Sequence, residues 1–239
     1  MSSDVTSAYL RGLQNGLPIC LGYLSVSFTF GMMCTENDLP FWIAVLISMT
    51  NLTSAGQFAG TGLIISGGSL FEIGITTFVI NIRYLLMSLS LSQKIDPNLP
   101  VPQRLVMSFG VTDEIFGVSM QHKGKIPFVY FFGLMTAPFW GWALGTLIGA
   151  TAVSLLPDVV RSALGIAIYG MFLAVIIPPA RTEHSLAWVI VIAAVISCLF
   201  YYMPVLSQLS SGWVIIICAV AASSFAALKW PVKDEEEEA

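Results

Sequence analysis

Residues 70–92 read LFEIGITTFVINIRYLLMSLSLS, an apolar run with a single arginine, Arg83, about midway along it. A helix of about 20 apolar residues crosses the hydrocarbon core of a bilayer. A guanidinium near the centre of such a helix costs roughly 2.5–3.5 kcal/mol on insertion scales, and it stays ionised. We therefore expect Arg83 to be received inside the protein by a carboxylate, by carbonyl groups or by a bound anion.

The whole chain has the composition of a membrane protein. Of its 239 residues, 56% are hydrophobic and only 10% are charged, against about 25% charged in soluble domains. Its mean hydropathy is +0.83. Only helices or a closed barrel can span lipid, because every backbone polar group must be satisfied internally. The apolar runs are continuous rather than alternating, which predicts an all-α, polytopic inner-membrane bundle and excludes a barrel.

Eight apolar runs predict roughly six to eight hydrophobic segments, two of them unusual. The runs are Leu17–Met33, Phe41–Ile65, Leu70–Leu91, Leu105–Met120, Ile126–Ala150, Ala163–Ile177, Leu186–Met203 and Trp213–Leu228. Small and polar residues interrupt Phe41–Ile65, and Leu105–Met120 is short and contains two adjacent acids. We expect both of these segments to be broken or re-entrant helices.

The distribution of basic residues predicts which side the loops face. Lysines lie in the loop 121–125, Arg181 lies in the loop 178–185, and Lys229 and Lys233 lie in the tail. Cytoplasmic loops are enriched in lysine and arginine, so we expect a cytoplasmic C-terminus. Lys94 and Arg104 also lie on the cytoplasmic side if Leu105–Met120 is re-entrant, that is, if it enters the membrane and returns to the same side. The N-terminus is then outside, or Phe41–Ile65 does not fully cross.

We expect one transmembrane transporter domain over residues 1–228 and an acidic cytoplasmic tail over residues 229–239. Five of the fourteen acids form the block 234–238, and such a block is usually a solvated end. Without it the chain is close to neutral, and no basic patch suggests nucleic acid. The four cysteines and two histidines lack metal-ligand spacing, and no phosphate-binding loop occurs. We therefore expect neither a metal nor a cofactor.

The first polar cluster lies inside the segment Phe41–Ile65. Asn51, Thr53, Ser54 and Gln57 fall within seven residues, followed by several glycines. A loosened membrane helix exposes backbone groups that can line a cavity and bind a polar solute. The alternative is close helix packing through the small residues at 56 and 60. Asn51 and Gln57 are larger than packing requires, which favours the cavity.

The second and third clusters surround the arginine and the paired acids. Thr77, Asn81, Tyr84 and Ser88 share one helical face, which indicates either a binding stripe or a hydrogen-bonded seam between helices. Thr112, Asp113 and Glu114 follow a glycine. Two adjacent carboxylates in an apolar run cannot both stay charged and dry, so one could carry a proton. Alternatively, this is the start of a helix at the interface, where acids are favoured.

A pairing of Arg83 with Asp113 or Glu114 would explain both anomalies together. Such a pair serves architecture as readily as transport. The candidate site residues are Asn51, Ser54, Gln57, Asn81, Arg83, Tyr84, Thr112, Asp113 and Glu114.

Several short motifs in order resemble one family of membrane proteins. They are GLQNGLPICLG at 12–22, FG at 30–31, AGQFA at 55–59, NIRY at 81–84 and TDEIF at 112–116. The chain resembles the AzlC-like family, the large subunit of branched-chain amino acid exporters. Most of the matching motifs lie between residues 12 and 94, and a further one lies at 112–116. Beyond residue 126 only the hydropathy pattern is similar.

The resemblance implies a function, a partner and a location. It implies a proton-coupled secondary transporter in a prokaryotic cell membrane that exports leucine, isoleucine, valine or other hydrophobic amino acids. It also implies a small membrane partner of the AzlD type. The family's motif residues fall on Gln57, Asn81, Arg83 and the triplet 112–114. Tyr84 stands where many relatives carry histidine, which removes a possible proton carrier.

Two other functions compete with transport. An intramembrane enzyme would need a zinc-binding pair of histidines, a serine with histidine, or two separated aspartates, and the sequence offers none of these within its apolar runs. A non-transporting assembly or receptor subunit would use the polar seams to bind a partner helix. Flux through reconstituted liposomes distinguishes a transporter from such a scaffold.

Overall fold

The computed structural model describes residues 2–152, 180–204 and 206–230, with scattered positions between 156 and 177. Within these residues the chain is helical and contains no β-strand, which confirms the all-α prediction. The helices are α1 (Ser2–Glu36), α2 (Phe41–Thr50), α3 (Ser54–Ile65), α4 (Leu70–Lys94), α5 (Val101–Phe109), α6 (Asp113–Met120), α7 (Phe128–Ala152), α8 (His184–Tyr202) and α9 (Ser211–Lys229), with a short 3₁₀ turn at Leu206–Gln208.

Five helices in the described part of the chain are long and apolar enough to cross a membrane. They are α4, α7, α8, α9 and the stretch Val5–Glu36 of α1. The chain divides into two compact units. The first unit comprises Met1–Phe58 with Asn81–Ile168, and the second comprises Ala59–Ile80 with Tyr169–Ala239. The prediction of a single transporter domain stays a prediction.

The first unit is built around a close, parallel pair of helices, α1 and α7. A Cβ added at Gly12 would lie 2.1 Å from the Tyr130 carbonyl oxygen, and one added at Gly149 would lie 2.0 Å from the Phe28 carbonyl oxygen. Only glycine allows this approach. Residues early in α1 contact residues early in α7, and residues late in α1 contact residues late in α7. The two helices therefore run in the same direction and begin on the same side.

The segment Phe41–Ile65 is a broken helix that turns back, as expected. Helix α2 ends at Thr50, and Asn51 has an extended backbone with φ −143° and ψ 102°. Ala44 of α2 and Phe58 of α3 both pack against Phe30 of α1, and the rings of Phe30 and Phe58 lie 5.2 Å apart. The segment therefore enters beside the end of α1 and returns to the same level, as a re-entrant hairpin.

The predicted segment Leu105–Met120 is a second hairpin with wider bounds. It consists of α5, a break at residues 110–112, and α6. The Lys94 ammonium donates hydrogen bonds to the carbonyls of Met120 (2.7 Å) and His122 (3.1 Å), and the Ile126 amide donates to the Lys94 carbonyl (2.8 Å). The ends of α4 and α6 and the approach to α7 therefore meet on one side, and the hairpin returns to where it began.

These contacts decide between the two topologies that the sequence left open. Because α1 and α7 start on the same side, the N-terminus shares the side of the lysine loop, and Phe41–Ile65 does not fully cross. The two hairpins enter from opposite sides of the first unit. Of the remaining predicted segments, Ala163–Ile177 lies largely outside the described residues, and so does the acidic tail beyond position 230.

The second unit contains a buried acid that links two helix starts. Glu72, near the start of α4, is only 8% exposed. The Ser210 hydroxyl, at the N-cap of α9, donates to the Glu72 carboxylate. A Cβ at Gly212 would lie 2.6 Å from Glu72 Oε1, so glycine at this position leaves room for the carboxylate.

Candidate functional site

The middle of α4 touches the breaks of both hairpins. Asn81 hydrogen-bonds to Thr53 in the first break, and Arg83 pairs with Asp113 just after the second break. Discontinuous helices in membrane transporters commonly place half-helix ends at the binding site. Here two such ends converge on one turn of a continuous helix.

Arg83 is received by a carboxylate, as one of the sequence alternatives expected. Its Nη2 atom lies 2.8 Å from Asp113 Oδ2, and the two side chains are 38% and 33% exposed. The guanidinium also lies 5.1 Å above the Tyr84 ring and 3.5 Å from the Tyr84 hydroxyl. The pair is thus accessible from outside the protein core, which weakens its contribution to stability relative to a fully buried pair.

The acids at 113 and 114 form the first turn of α6. The Thr112 side chain caps this helix by accepting a hydrogen bond from the Ile115 amide (3.3 Å). The helix start that was one alternative for these acids is therefore real. It lies at the tip of a hairpin within the bundle rather than at the interface. Acids are favoured there because the N-terminal amides lack intrahelical partners.

Glu114 and Thr112 are held by a tyrosine that the sequence analysis did not single out. The Tyr23 hydroxyl lies 2.6 Å from Glu114 Oε2 and 2.7 Å from Thr112 Oγ1. Tyr23 is 8% exposed, and its ring meets the edge of Trp142 at 5.0 Å. Its position beside Gly22 in the motif GLQNGLPICLG was the available signal.

The first break is organised by Asn51. Its Oδ1 accepts hydrogen bonds from the Thr53 hydroxyl (2.7 Å) and the Thr53 amide (3.3 Å). The Asn81 amide of α4 then donates to the Thr53 hydroxyl (3.3 Å). A Cβ at Gly56 would lie 2.7 Å from both Asn81 Nδ2 and Thr53 Oγ1. Gly56 therefore allows the close packing that was one alternative for this motif, and the cavity lining stays a prediction.

Gln57 belongs to a separate buried chain of hydrogen bonds. Its Oε1 accepts from the Trp142 indole (2.9 Å), and its Nε2 donates to the Ser48 hydroxyl (2.7 Å). Ser48 in turn bonds Thr146 (2.7 Å). Gln57 is 1% exposed, and both ends of its amide are satisfied. This chain fixes the first hairpin against α7 and gives each polar atom of the Gln57 amide a partner within the protein.

Three side-chain polar atoms of α4 are buried and have no hydrogen-bond partner within the described residues. One is the Thr76 hydroxyl oxygen, and the other two are Asn81 Oδ1, an acceptor, and Arg83 Nε, a donor. Leaving a buried polar group unpaired costs about 1–3 kcal/mol. Native structures retain few such groups, and each calls for an explanation. A donor and an acceptor two residues apart are complementary to a ligand that carries both kinds of group.

The structure thus joins seven of the nine predicted residues through hydrogen bonds and an ion pair around α4 and the two breaks. Gln57 joins the buried chain, and Ser54 makes no side-chain hydrogen bond among the described residues. The residues placed around α4 and the two breaks are Asn51, Asn81, Arg83, Tyr84, Thr112, Asp113 and Glu114. Sequence reasoning missed Tyr23, Trp142, Ser48 and Thr146. Within the described ranges, no group of three His, Cys, Asp or Glu side chains could hold a metal ion.

Comparison with known proteins identifies the family. The family model described as AzlC protein matches residues 18–156, more than half of the chain. The chain belongs to the AzlC family. It is similar to the inner membrane protein YgaZ of Escherichia coli (strain K12), with 26% identity over 81% of each chain.

Two further relatives extend the family beyond that bacterium. An uncharacterized membrane protein of Archaeoglobus fulgidus is 31% identical over 77% of this chain and 81% of its own length. An uncharacterized membrane protein of Helicobacter pylori (strain J99) is 25% identical over 62% of this chain and 67% of its own. No solved structure matches. The AzlC family confirms the resemblance read from the motifs, and it indicates a multi-pass membrane protein with a transport-related role.

Proposed function

We propose that this AzlC-family protein is a secondary transporter that exports branched-chain or other hydrophobic amino acids. The observation that carries the proposal is the Arg83–Asp113 pair at the tip of a re-entrant hairpin, beside the unpartnered Asn81 Oδ1 and Arg83 Nε. An amino acid zwitterion presents a carboxylate and an ammonium. The site offers one cation, one carboxylate, and a spare donor and acceptor.

The substrate binds by replacing the internal ion pair. Its carboxylate binds the guanidinium of Arg83, which forms planar, bidentate hydrogen bonds with carboxylates. Its ammonium binds the Asp113 carboxylate or donates a hydrogen bond to Asn81 Oδ1. The exposure of Arg83 and Asp113, about one third each, supports access to the pair from an aqueous crevice. Apolar neighbours such as Leu52, clustered with Tyr23 and Trp142, suit an alkyl side chain.

Proton coupling follows from the same exchange. When Arg83 turns to a substrate carboxylate, the Asp113 carboxylate loses its cation and takes up a proton more readily. In the empty site the Arg83 guanidinium, 2.8 Å from Asp113 Oδ2, favours the charged form of this carboxylate. Substrate binding and proton binding then favour each other through one arginine, without a histidine at position 84.

The proposal includes a small membrane subunit of the AzlD type. Helices α8 and α9 present long apolar faces, and no described residue of α8 is buried. Lipid or a partner helix could cover such faces. Transport measurements therefore use the chain purified together with that subunit, and separately without it.

Counterflow in liposomes tests the function. We expect labelled leucine to accumulate against unlabelled leucine, isoleucine or valine inside, and not against lysine or glutamate. Arg83→Gln and Asp113→Asn should each lower the initial rate roughly 10- to 100-fold, since each removes a charge-assisted contact worth about 1.5–3 kcal/mol. Arg104→Gln is the control, because among the described residues Arg104 bonds only the loop carbonyls of Pro97 and Leu99.

The double variant Arg83→Gln/Asp113→Asn separates transport from folding. Each single variant leaves one charge unpaired and should lower the melting temperature, whereas the double variant leaves none and should recover it. Transport should stay low in all three. If a folded Arg83→Gln variant transports leucine at the wild-type rate, Arg83 does not bind the substrate. The absence of flux for every amino acid in the wild-type complex would favour an assembly or receptor role.

A further inference from the structure

A polar cavity lies in the first unit, away from the two hairpin breaks. Its volume is about 570 Å³, and it opens between the first half of α1 and the end of α6. The apolar part of its wall includes Pro18, Val118 and Tyr130. The polar part is formed by Arg11, Gln14, Asn15, Gln121, His122 and Lys123.

The charges of this cavity are all of one sign. Arg11 and Lys123 line it, and no carboxylate is among its lining residues. Neither cation forms an ion pair or a hydrogen bond with any residue that the structure describes. Tyr130 is held in the wall by the Asn15 amide, which donates to its hydroxyl at 2.9 Å. The His122 ring lies 4.7 Å from the Tyr130 ring. The wall is thus ordered while its two cations remain unpaired.

An anion suits this cavity better than a zwitterion. An amino acid would bring its ammonium beside two cations, with no carboxylate in the wall to receive it. A phosphate diester carries one full negative charge, several acceptor oxygens and no cation. Arginine binds such a group through its fork of donors, and lysine binds it as a point charge.

We infer that the cavity holds the phosphate of an anionic phospholipid headgroup. The cavity lies where α6 ends in the lysine loop, on the side where α1 and α7 begin. Basic pockets between the ends of membrane helices bind such headgroups on the cytoplasmic side. The apolar wall of Pro18, Val118 and Tyr130 suits the glycerol and the first methylenes of the lipid. This site does not depend on the proposed transport function.

Thermal unfolding of the full chain in neutral detergent tests the inference. Phosphatidylglycerol at about ten times its dissociation constant should raise Tm by about 3–6 °C, and phosphatidylcholine should raise it much less. Inorganic phosphate is the third arm. An equal rise with inorganic phosphate alone would overturn the lipid assignment and identify a soluble anion as the ligand.

Matched variants locate the site. Arg11→Gln/Lys123→Gln should weaken phosphatidylglycerol binding roughly 30-fold, at about 1 kcal/mol for each cation. Lys125→Gln removes a charge from the same loop, but Lys125 is exposed and does not line the cavity, so it should keep wild-type binding. Equal losses in both variants would overturn the inference, because they would show a general surface attraction.

Native mass spectrometry gives a second readout that needs no unfolding transition. The wild-type chain, purified from membranes containing phosphatidylglycerol, should retain this lipid, and Arg11→Lys should retain it as well because the charge is kept. Retention of equal amounts by Arg11→Gln/Lys123→Gln and by the wild type would contradict the site.

Discussion

A single tyrosine links the acidic turn of α6 to the first helix. The Tyr23 hydroxyl donates a hydrogen bond to Glu114 Oε2 (2.6 Å) and lies 2.7 Å from Thr112 Oγ1. Its ring is fixed by the edge of Trp142. Tyr23 therefore holds the hairpin tip in position while Asp113 is left to face Arg83. In this arrangement the neighbouring acids have different partners and different roles.

Tyr23→Phe should loosen this tip without disturbing the core. The ring contacts remain, but Glu114 loses its donor, so we expect a loss of about 1–2 kcal/mol in the free energy of unfolding and a lower transport rate. Chemical or thermal denaturation measures the first, and counterflow the second. Tyr9→Phe on the same helix is the control, because Tyr9 packs its ring against Phe132 and has no hydroxyl partner among the described residues. Equal effects of the two substitutions would show that the Tyr23 hydroxyl has no special role.

At the scale of elements, the parallel packing of α1 and α7 depends on a stripe of glycines. Glycines at 141, 145 and 149 recur every four residues along α7, and a Cβ at each would lie within 3 Å of α1. The glycines let the two backbones approach closely, and van der Waals packing then holds the helices together. Lipid supplies no hydrophobic force between them. The glycine spacing can be recognised in the sequence, but the sequence does not show which helix packs against it.

Gly12→Ala should separate the two helices, whereas Gly22→Ala on the same helix should not. A Cβ at Gly12 would lie 2.1 Å from a backbone oxygen of α7, while a Cβ at Gly22 meets nothing within 4 Å. We expect Gly12→Ala to cost about 1–3 kcal/mol. Gly22→Ala should be neutral or stabilising by up to about 1 kcal/mol. Melting temperatures of the purified variants check this, and equal temperatures would contradict the close parallel contact.

At the scale of the whole molecule, the hairpins determine how the chain crosses the bilayer. Each enters and returns on one side, so neither adds a crossing. A sequence count that treats both hairpins as spans gives the wrong side for the loops between them, and its second error restores the side of the loops that follow. The pairing of Lys94 with the end of α6 is the contact that fixes the second hairpin.

Cysteine labelling tests this topology in a variant without Cys20, Cys34, Cys198 and Cys218. Single cysteines at Ser7, Asn98 and Lys125 should react with an impermeant reagent from one side, and a cysteine at Asn37 from the other. With a cytoplasmic lysine loop, only the Asn37 variant should label in intact cells. Labelling of the Asn98 and Lys125 variants from opposite sides would show that the second hairpin crosses the membrane.

The sequence predicted the parts of this protein that depend on local composition. Long apolar runs require helices in lipid, and glycines with polar residues inside such runs indicate breaks. The two broken segments, the exceptional position of Arg83 and the family were therefore available from residue order. The bounds of the second hairpin were less accessible, because Val101 and its neighbours lie in a polar stretch that hydropathy leaves out.

Three features depended on contacts between distant residues. The polar motif predicts a ligand-facing amide at Gln57, yet Trp142 and Ser48 each bond one end of it within the protein. Tyr23 looked like an ordinary aromatic residue of the first helix. The choice of Asp113 over Glu114 as the partner of Arg83 depends on the direction each side chain takes at the start of α6.

By itself, the sequence determined that this chain forms membrane helices, that two of them are interrupted, and that one permanent cation must find a partner inside. These follow from the cost of exposing backbone and charge to lipid, which is set residue by residue. Only the tertiary structure decided which carboxylate neutralises Arg83, which helices pack in parallel, and on which side each hairpin returns. Those outcomes depend on residues far apart in the chain, whose proximity no local pattern encodes.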